Sequence, residues 1–294
     1  MPLRSDMPPS ASIDRLSGLL MRFPVSAHLH HNGPLCGLNH FDAALGHGFL
    51  HVLRRGHLKV THPGAREVPT QLLVTEPTLL LYARPFTHRF HNPPAEGSDF
   101  TCAQLHFDGG AQHPLAMALP PLVLAPLAQV PGLEASLQLL LAETAHVRCG
   151  QRLLADRLFE VVLLQLLRWL LDHPATPGLP AGLLPGLAHP ALARALTAMH
   201  EHPGQAWHLP LLAELAGMSR TRFATEFHAV VGQPPADYLA DWRMRLAQQG
   251  LRAGRSVKEL ADALGYANAS ALSRAFNARL GCSPRAWVST LTRS

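Results

Sequence analysis

The chain has 294 residues, of which 47% are hydrophobic and only 15% charged, so it can bury substantial cores and is not a disordered segment. No apolar run reaches the ~20 residues of a membrane-spanning helix, and no basic start followed by an apolar stretch marks a signal peptide. The four cysteines include no Cys-x-x-Cys pair, which argues against structural zinc and for a reducing cytoplasm.

Residues 1–12 are polar and Pro-rich and read as a loose tail. Ile13 to Leu20 has the spacing of a short helix. Residues 25–110 read as β: Phe49–Leu53, His57–Val60, Gln71–Val74, Thr78–Tyr82 and Phe100–Phe107 are short apolar runs punctuated by Gly and Pro. Residues 111–132 read as a Pro-rich connection. From Leu133 the apolar period becomes helical, with Leu137, Leu140 and Leu141 on one stripe. A longer helix from Gln151 to Asp172 is apolar on more than one side, which predicts two partners, one of them a second subunit. His173 to Ala188 contains four Pro and three Gly and is the expected linker. The rest is helical by pattern.

That last third contains one scheme twice. In the first copy, Leu212, Leu215 and Ala216 line a helix, Gly217 permits a tight turn, and Ser219 caps a second helix carrying Phe223, Phe227 and Val231. In the second, Val257, Leu260, Ala261 and Leu264 precede Gly265, and Asn268 caps a helix carrying Leu272 and Phe276. Each copy ends in Gly-x-x-Pro, at Gly232 to Pro235 and Gly281 to Pro284. Two helix-turn-helix units explain this repetition; a plain bundle does not. Charge agrees. Residues 190–294 hold 12 Lys and Arg against 7 Asp and Glu, the whole net charge of +5. Eleven of the 12 are Arg, whose planar fork suits phosphate and guanine.

A recognition helix enters the major groove by its N-terminal half. The predicted outward positions are Arg220, Thr221, Arg222, Ala224 and Thr225 in the first unit, and Ala269, Ser270, Ser273 and Arg274 in the second. Arg243, Arg245, Arg252 and Arg255 lie between or beside the units and are phosphate candidates.

Residues 190–294 resemble the DNA-binding domain of AraC/XylS-type transcription regulators. The carrying pattern is Leu260-Ala-x-x-x-Gly265-Tyr266, then Leu272-x-Arg274-x-Phe276, then Gly281-x-Ser283-Pro284. Asn277 stands where Lys is usual in that family, and Ala224 and Thr225 stand where larger polar residues often occur. Residues 12–110 resemble the cupin-type sensor half of one branch of these regulators, through Gly48-x-x-His51-Val52, Gly56, Leu79 to Tyr82, His88 and Phe100 to Asp108. Glu76-Pro77-Thr78 replaces a Gly-Asp turn there, and Ala83 and Pro85 replace a Pro-x-Gly. The implied architecture is α+β. It has a cupin-like β-barrel sensor at 12–110, a connection with dimerisation helices and linker at 111–189, and an all-α domain with two helix-turn-helix units at 190–294.

The barrel offers two kinds of candidate effector site. His47, His51, His88, His91 and His106 are available donors, of which His51 and His88 are the first to test. Cys36, in a loop after Gly33-Pro34, and Cys102, on a predicted strand, are candidate redox thiols. Both positions resemble cysteines through which related regulators sense oxidants. Cys149 and Cys282 read as packing residues.

No nucleophile–base pair, phosphate loop or catalytic carboxylate pair is evident in the sequence. The expectation is a non-enzymatic, cytoplasmic homodimer that binds double-stranded DNA and acts on RNA polymerase, with no cofactor, bound metal or membrane contact. The alternative is a metal-dependent cupin enzyme with a helical appendage.

Overall fold

The computed structural model describes residues 13–92 and 98–291. The predicted N-terminal tail lies outside the described residues. The chain forms two compact units, one of residues 23–188 and one that joins 13–22 to 189–291.

Among its described residues the first unit has nine strands: β1 (Val25–Leu35), β2 (Gly37–Phe41), β3 (Gly48–Arg55), β4 (Leu58–Thr61), β5 (Gln71–Val74), β6 (Thr78–Tyr82), β7 (His88–Asn92), β8 (Ser98–Phe107) and β9 (Val123–Pro126). They form two antiparallel sheets, ordered β1-β8-β3-β6-β9 and β2-β7-β4-β5. Between them lies one core that includes Phe41, Phe49, Leu53, Leu58, Val60, Leu80, Tyr82, Phe90, Phe100 and Cys102. Alternate residues of β8 supply Phe100 and Cys102 to it, as a two-residue period requires. All five predicted strands are present. β9 was not foreseen: it lies inside the Pro-rich connection and forms an edge of its sheet, where Pro126 at the strand end breaks no central ladder.

The second unit begins with α1 (Ser17–Leu20), and α2 (Pro114–Ala118), α3 (Leu133–Thr144), α4 (Gln151–Asp172) and α5 (Leu183–Ala188) belong to the first. Helix α5 lies in the predicted linker; its Leu183, Leu184 and Leu187 are buried and it packs on α4. Helix α1 packs on α6 (Leu192–Glu201). Leu16 and Leu19 are buried, Arg22 donates to the Glu201 carbonyl at 2.8 Å, and the Gln249 amide reaches the Arg22 carbonyl. The N-terminal helix therefore belongs with the last third of the chain, not with the β-rich part.

The remaining helices are α7 (Leu209–Leu215), α8 (Arg220–Val231), α9 (Pro235–Arg252), α10 (Val257–Ala263), α11 (Ala269–Leu280) and α12 (Pro284–Leu291). Helix α9 touches α8, α10, α11 and α12 and buries Tyr238, Leu239, Trp242, Met244, Leu246, Ala247 and Leu251. Beside it, the loop after α6 meets the turn after α10. Gly265 has φ +74°, and a Cβ there would collide with the Gly204 carbonyl oxygen; a Cβ on Gly204 would lie 2.6 Å from the Ala263 oxygen. Only glycine satisfies both the left-handed backbone and the contact. Gly265→Ala is therefore expected to destabilise this unit by more than ~1 kcal/mol. Urea unfolding of the full chain checks this, and an unchanged midpoint would contradict it.

Candidate functional site

Each predicted recognition helix starts where its cap was read. The Ser219 hydroxyl accepts from the Arg222 backbone N–H at 3.3 Å, and Asn268 Oδ1 accepts from the Ala271 N–H at 2.9 Å. Ser256 and Glu259 form a reciprocal capping box at the start of α10. Phe223, Phe227 and Val231 bury the inner face of α8, and Leu272 and Phe276 that of α11.

The opposite faces are open. Arg220, Thr221, Arg222 and Thr225 are exposed on α8 with Ala224 half-buried; Ser270 and Arg274 are exposed on α11, with Ala269 and Ser273 half-buried. Arg222 is not idle: its Nε donates to Glu226 at 3.1 Å, and the other Glu226 oxygen lies 2.8 Å from His189. Arg243 also differs from expectation. Its Nε donates to the Pro203 carbonyl at 2.7 Å and an Nη to the Gln205 carbonyl at 2.9 Å. Arg279, which the sequence did not single out, joins α11 to α9 by pairing with Asp237 at 2.7 Å and with Asp241. Arg252 covers the Trp287 ring at 5.1 Å, while Arg255 is exposed.

In the β-rich unit only some of the candidate side chains meet. His51 is buried, with Nδ1 3.0 Å from Cys102 Sγ and Nε2 2.9 Å from His88 Nε2. His88 Nδ1 lies 2.7 Å from the Phe86 carbonyl. That carbonyl only accepts, so His88 carries its proton on Nδ1 and accepts at Nε2. His51 then donates from Nε2 and accepts at Nδ1, and the Cys102 thiol donates. One arrangement of protons satisfies the whole chain, with every member neutral. Burial supports it. Desolvation pushes the Cys102 thiol up, holds His51 well below its ordinary value with help from His88, and pushes His88 down to about 3.

The other candidates lie apart. His91 pairs with Thr61 at 2.8 Å, and His47 and His106 form a separate ring contact. Among the described residues, no three His, Cys, Asp or Glu side chains gather as metal ligands. Cys36 is exposed between β1 and β2, and Cys102 is fully buried. Cys102 pairs with His31, five residues before Cys36 along β1. At ~3.3 Å per residue that is roughly 16 Å, far beyond the ~4.4–6.8 Å between Cα atoms that a disulfide spans.

One polar anchor has no motif around it. Asp156 of α4 is 9% exposed; it accepts the Leu29 backbone N–H at 2.7 Å and faces His28 Nδ1 at 3.0 Å. It ties the long helix to β1. Its only sequence signal is a carboxylate within an otherwise apolar helical stripe.

The family model described as Cupin matches residues 14–172, and that described as Helix-turn-helix domain matches residues 212–290. The chain belongs to the AraC-type regulators that carry a cupin domain. An AraC-like transcription regulator of Streptomyces lividans is 38% identical over 182 residues, covering 60% of this chain and 59% of that protein. The chain thus matches about three-fifths of that relative's length. The RCS-specific HTH-type transcriptional activator RclR of Escherichia coli (strain K12) is 28% identical over 280 residues, covering 92% of this chain and 96% of that protein. The solved DNA-binding domain of AdpA, in complex with a target DNA, is 31% identical and covers 33% of this chain and 89% of that chain, with a TM-score of 0.32. No helix is long and apolar enough to cross a membrane among the described residues.

The neutral histidines predict an acid sensitivity. Unfolded, His51 and His88 bind protons as pH falls below the ordinary value of 6.5; folded, they resist. Their contribution is therefore complete above about pH 6.5 and declines as pH falls toward 3. Amide NMR signals of β3 and β8, followed through urea titrations, should show a lower midpoint at pH 5 than at pH 7. His88→Phe should narrow that difference, and an equal difference in the variant would contradict the assignment.

Proposed function

We propose that this chain is a non-enzymatic, sequence-specific regulator of transcription that binds double-stranded DNA through α8 and α11. The observation that carries this reading is the pair of capped helices, each buried on one side and presenting polar residues from its N-terminal half on the other. Arg274 has the geometry to take guanine O6 and N7 with its fork, while Thr221, Thr225, Ser270 and Ser273 offer hydroxyls to base edges. Arg220 and Arg255 are exposed cations suited to phosphate. The RNA polymerase contact follows from the resemblance to AraC-type regulators, as does work in the cytoplasm.

Arg274→Ala is expected to weaken binding to a selected DNA site by ~1–3 kcal/mol and to relax preference at one base position. Fluorescence anisotropy on selected and random duplexes checks this. An equal loss on both would make Arg274 a phosphate contact.

The same reading gives the cupin domain the role of effector sensor and makes the protein a homodimer. Leu139 of α3 and Leu153, Leu154, Val161 and Leu164 of α4 are exposed, an apolar stripe suited to a second copy. Oxidant sensing starts at Cys36, because its thiol is exposed whereas Cys102 is buried and protonated against His51. Cys36→Ala should abolish an oxidant-dependent change in DNA binding, and Cys102→Ala should reduce it only by loosening the core. Wild-type response in both variants would end the cysteine reading and leave a small-molecule effector, with His51 and His88 the first residues to replace.

A further inference from the structure

The loop after α6 leads into the first helix-turn-helix unit, the turn after α10 belongs to the second, and Arg243 lies where they meet. From α9 it donates to the Pro203 carbonyl at 2.7 Å and to the Gln205 carbonyl at 2.9 Å, the two residues that flank Gly204. Its guanidinium also sits over the Tyr266 ring, 5.7 Å from the centroid, next to Gly265. Between these residues the backbones of Gly204 and Gly265 are in contact too close for any side chain. One half-buried cation thus grips the first unit's loop with two donors and the second unit's turn with its face. Arg279 restrains α11 on α9 from another side, through Asp237 and Asp241.

We propose that Arg243 is a positioning residue: it locks the two helix-turn-helix units at one mutual angle and so sets the spacing of the DNA segments they read. This rests on the reading of the chain as a two-unit DNA reader, and it replaces the phosphate contact that the sequence suggested for Arg243. A phosphate contact requires donors facing outward, and here two are turned to backbone carbonyls. Lysine keeps the charge and most of the stem, but one ammonium does not reproduce the fork that reaches both carbonyls while stacking on the ring.

The test uses the full chain with Arg243→Lys and Arg243→Met. Spin labels on non-natural side chains at the exposed positions 229 and 278, on α8 and α11, report the mutual angle without DNA. A narrow distance distribution is expected for the wild type and a broader one for both variants, with folding checked by circular dichroism. Unchanged distributions in the folded variants would overturn the proposal. On DNA selected from a random pool, adding one base pair between the two read segments should weaken wild-type binding about tenfold or more, and the variants only about threefold or less. Full spacing discrimination in Arg243→Lys, with Arg243→Met weakening all DNA equally and lowering the salt slope by about one, would make Arg243 a phosphate contact instead. Broadened distances in a protein whose wild type selects no DNA would count against the DNA reading while supporting the positioning role.

Discussion

Helix α9 is a single amphipathic helix whose apolar residues are shared by two helix-turn-helix units, and the behaviour of the C-terminal unit depends on that sharing. An isolated helix-turn-helix buries too little surface to hold its recognition helix at a defined angle. Here α9 presents Tyr238, Leu239, Trp242, Met244, Leu246, Ala247 and Leu251 as common core for α8, α10, α11 and α12. Detaching either unit would expose apolar residues of α9. Gly250 allows α10 to approach: a Cβ there would run into the Leu260 side chain. Surface ion pairs are individually worth only ~0–1 kcal/mol, so the Arg279 pairs contribute orientation more than stability. DNA recognition needs that orientation, because two helices reading one duplex must be held in register with it.

The β-rich unit is organised by a different constraint, the need to satisfy buried polar atoms. A thiol, two imidazoles and a backbone carbonyl form a chain with one workable arrangement of protons. A core with such a chain is sensitive to changes that remove or add a proton, since an unpaired buried polar group costs ~1–3 kcal/mol. Asp156 carries the connection outward, because it holds β1 by the Leu29 N–H and lies on α4, the helix with the exposed apolar stripe. Strand β1 in turn continues from α1, which is packed in the C-terminal unit. Strand β1 is thus hydrogen-bonded both to β8, which carries Cys102, and to α4, which carries the exposed apolar stripe.

Local signals made the C-terminal domain legible in the sequence. Ser219, Asn268, Gly217 and Gly265 mark caps and turns whose chemistry is decided within a few residues, and each lies where it was read. Strand β1 was harder. Its sequence, VSAHLHHNGPL, hides apolar alternation behind histidines, and no motif announced it beyond membership of a β-rich region. Strand β9 was masked by the prolines around it. The contacts of Arg243, Arg279 and Asp156 join residues tens of positions apart, so neither periodicity nor composition pointed to them. Composition likewise did not show that the helix at Ser17 packs on the far end of the chain. For the redox candidates, the sequence placed Cys102 on a strand but did not reveal that its thiol is buried against His51.

Through its shared packing, α9 makes the two helix-turn-helix units one cooperative body. Native-state hydrogen exchange of the full chain tests it most directly, by comparing the slowest amides of α8 with those of α11. One shared core predicts a single opening free energy for both helices, lowered equally in both by Trp242→Phe. Opening energies that differ by more than ~1 kcal/mol, or a substitution at Trp242 felt by one helix alone, would show two independent units and contradict the account.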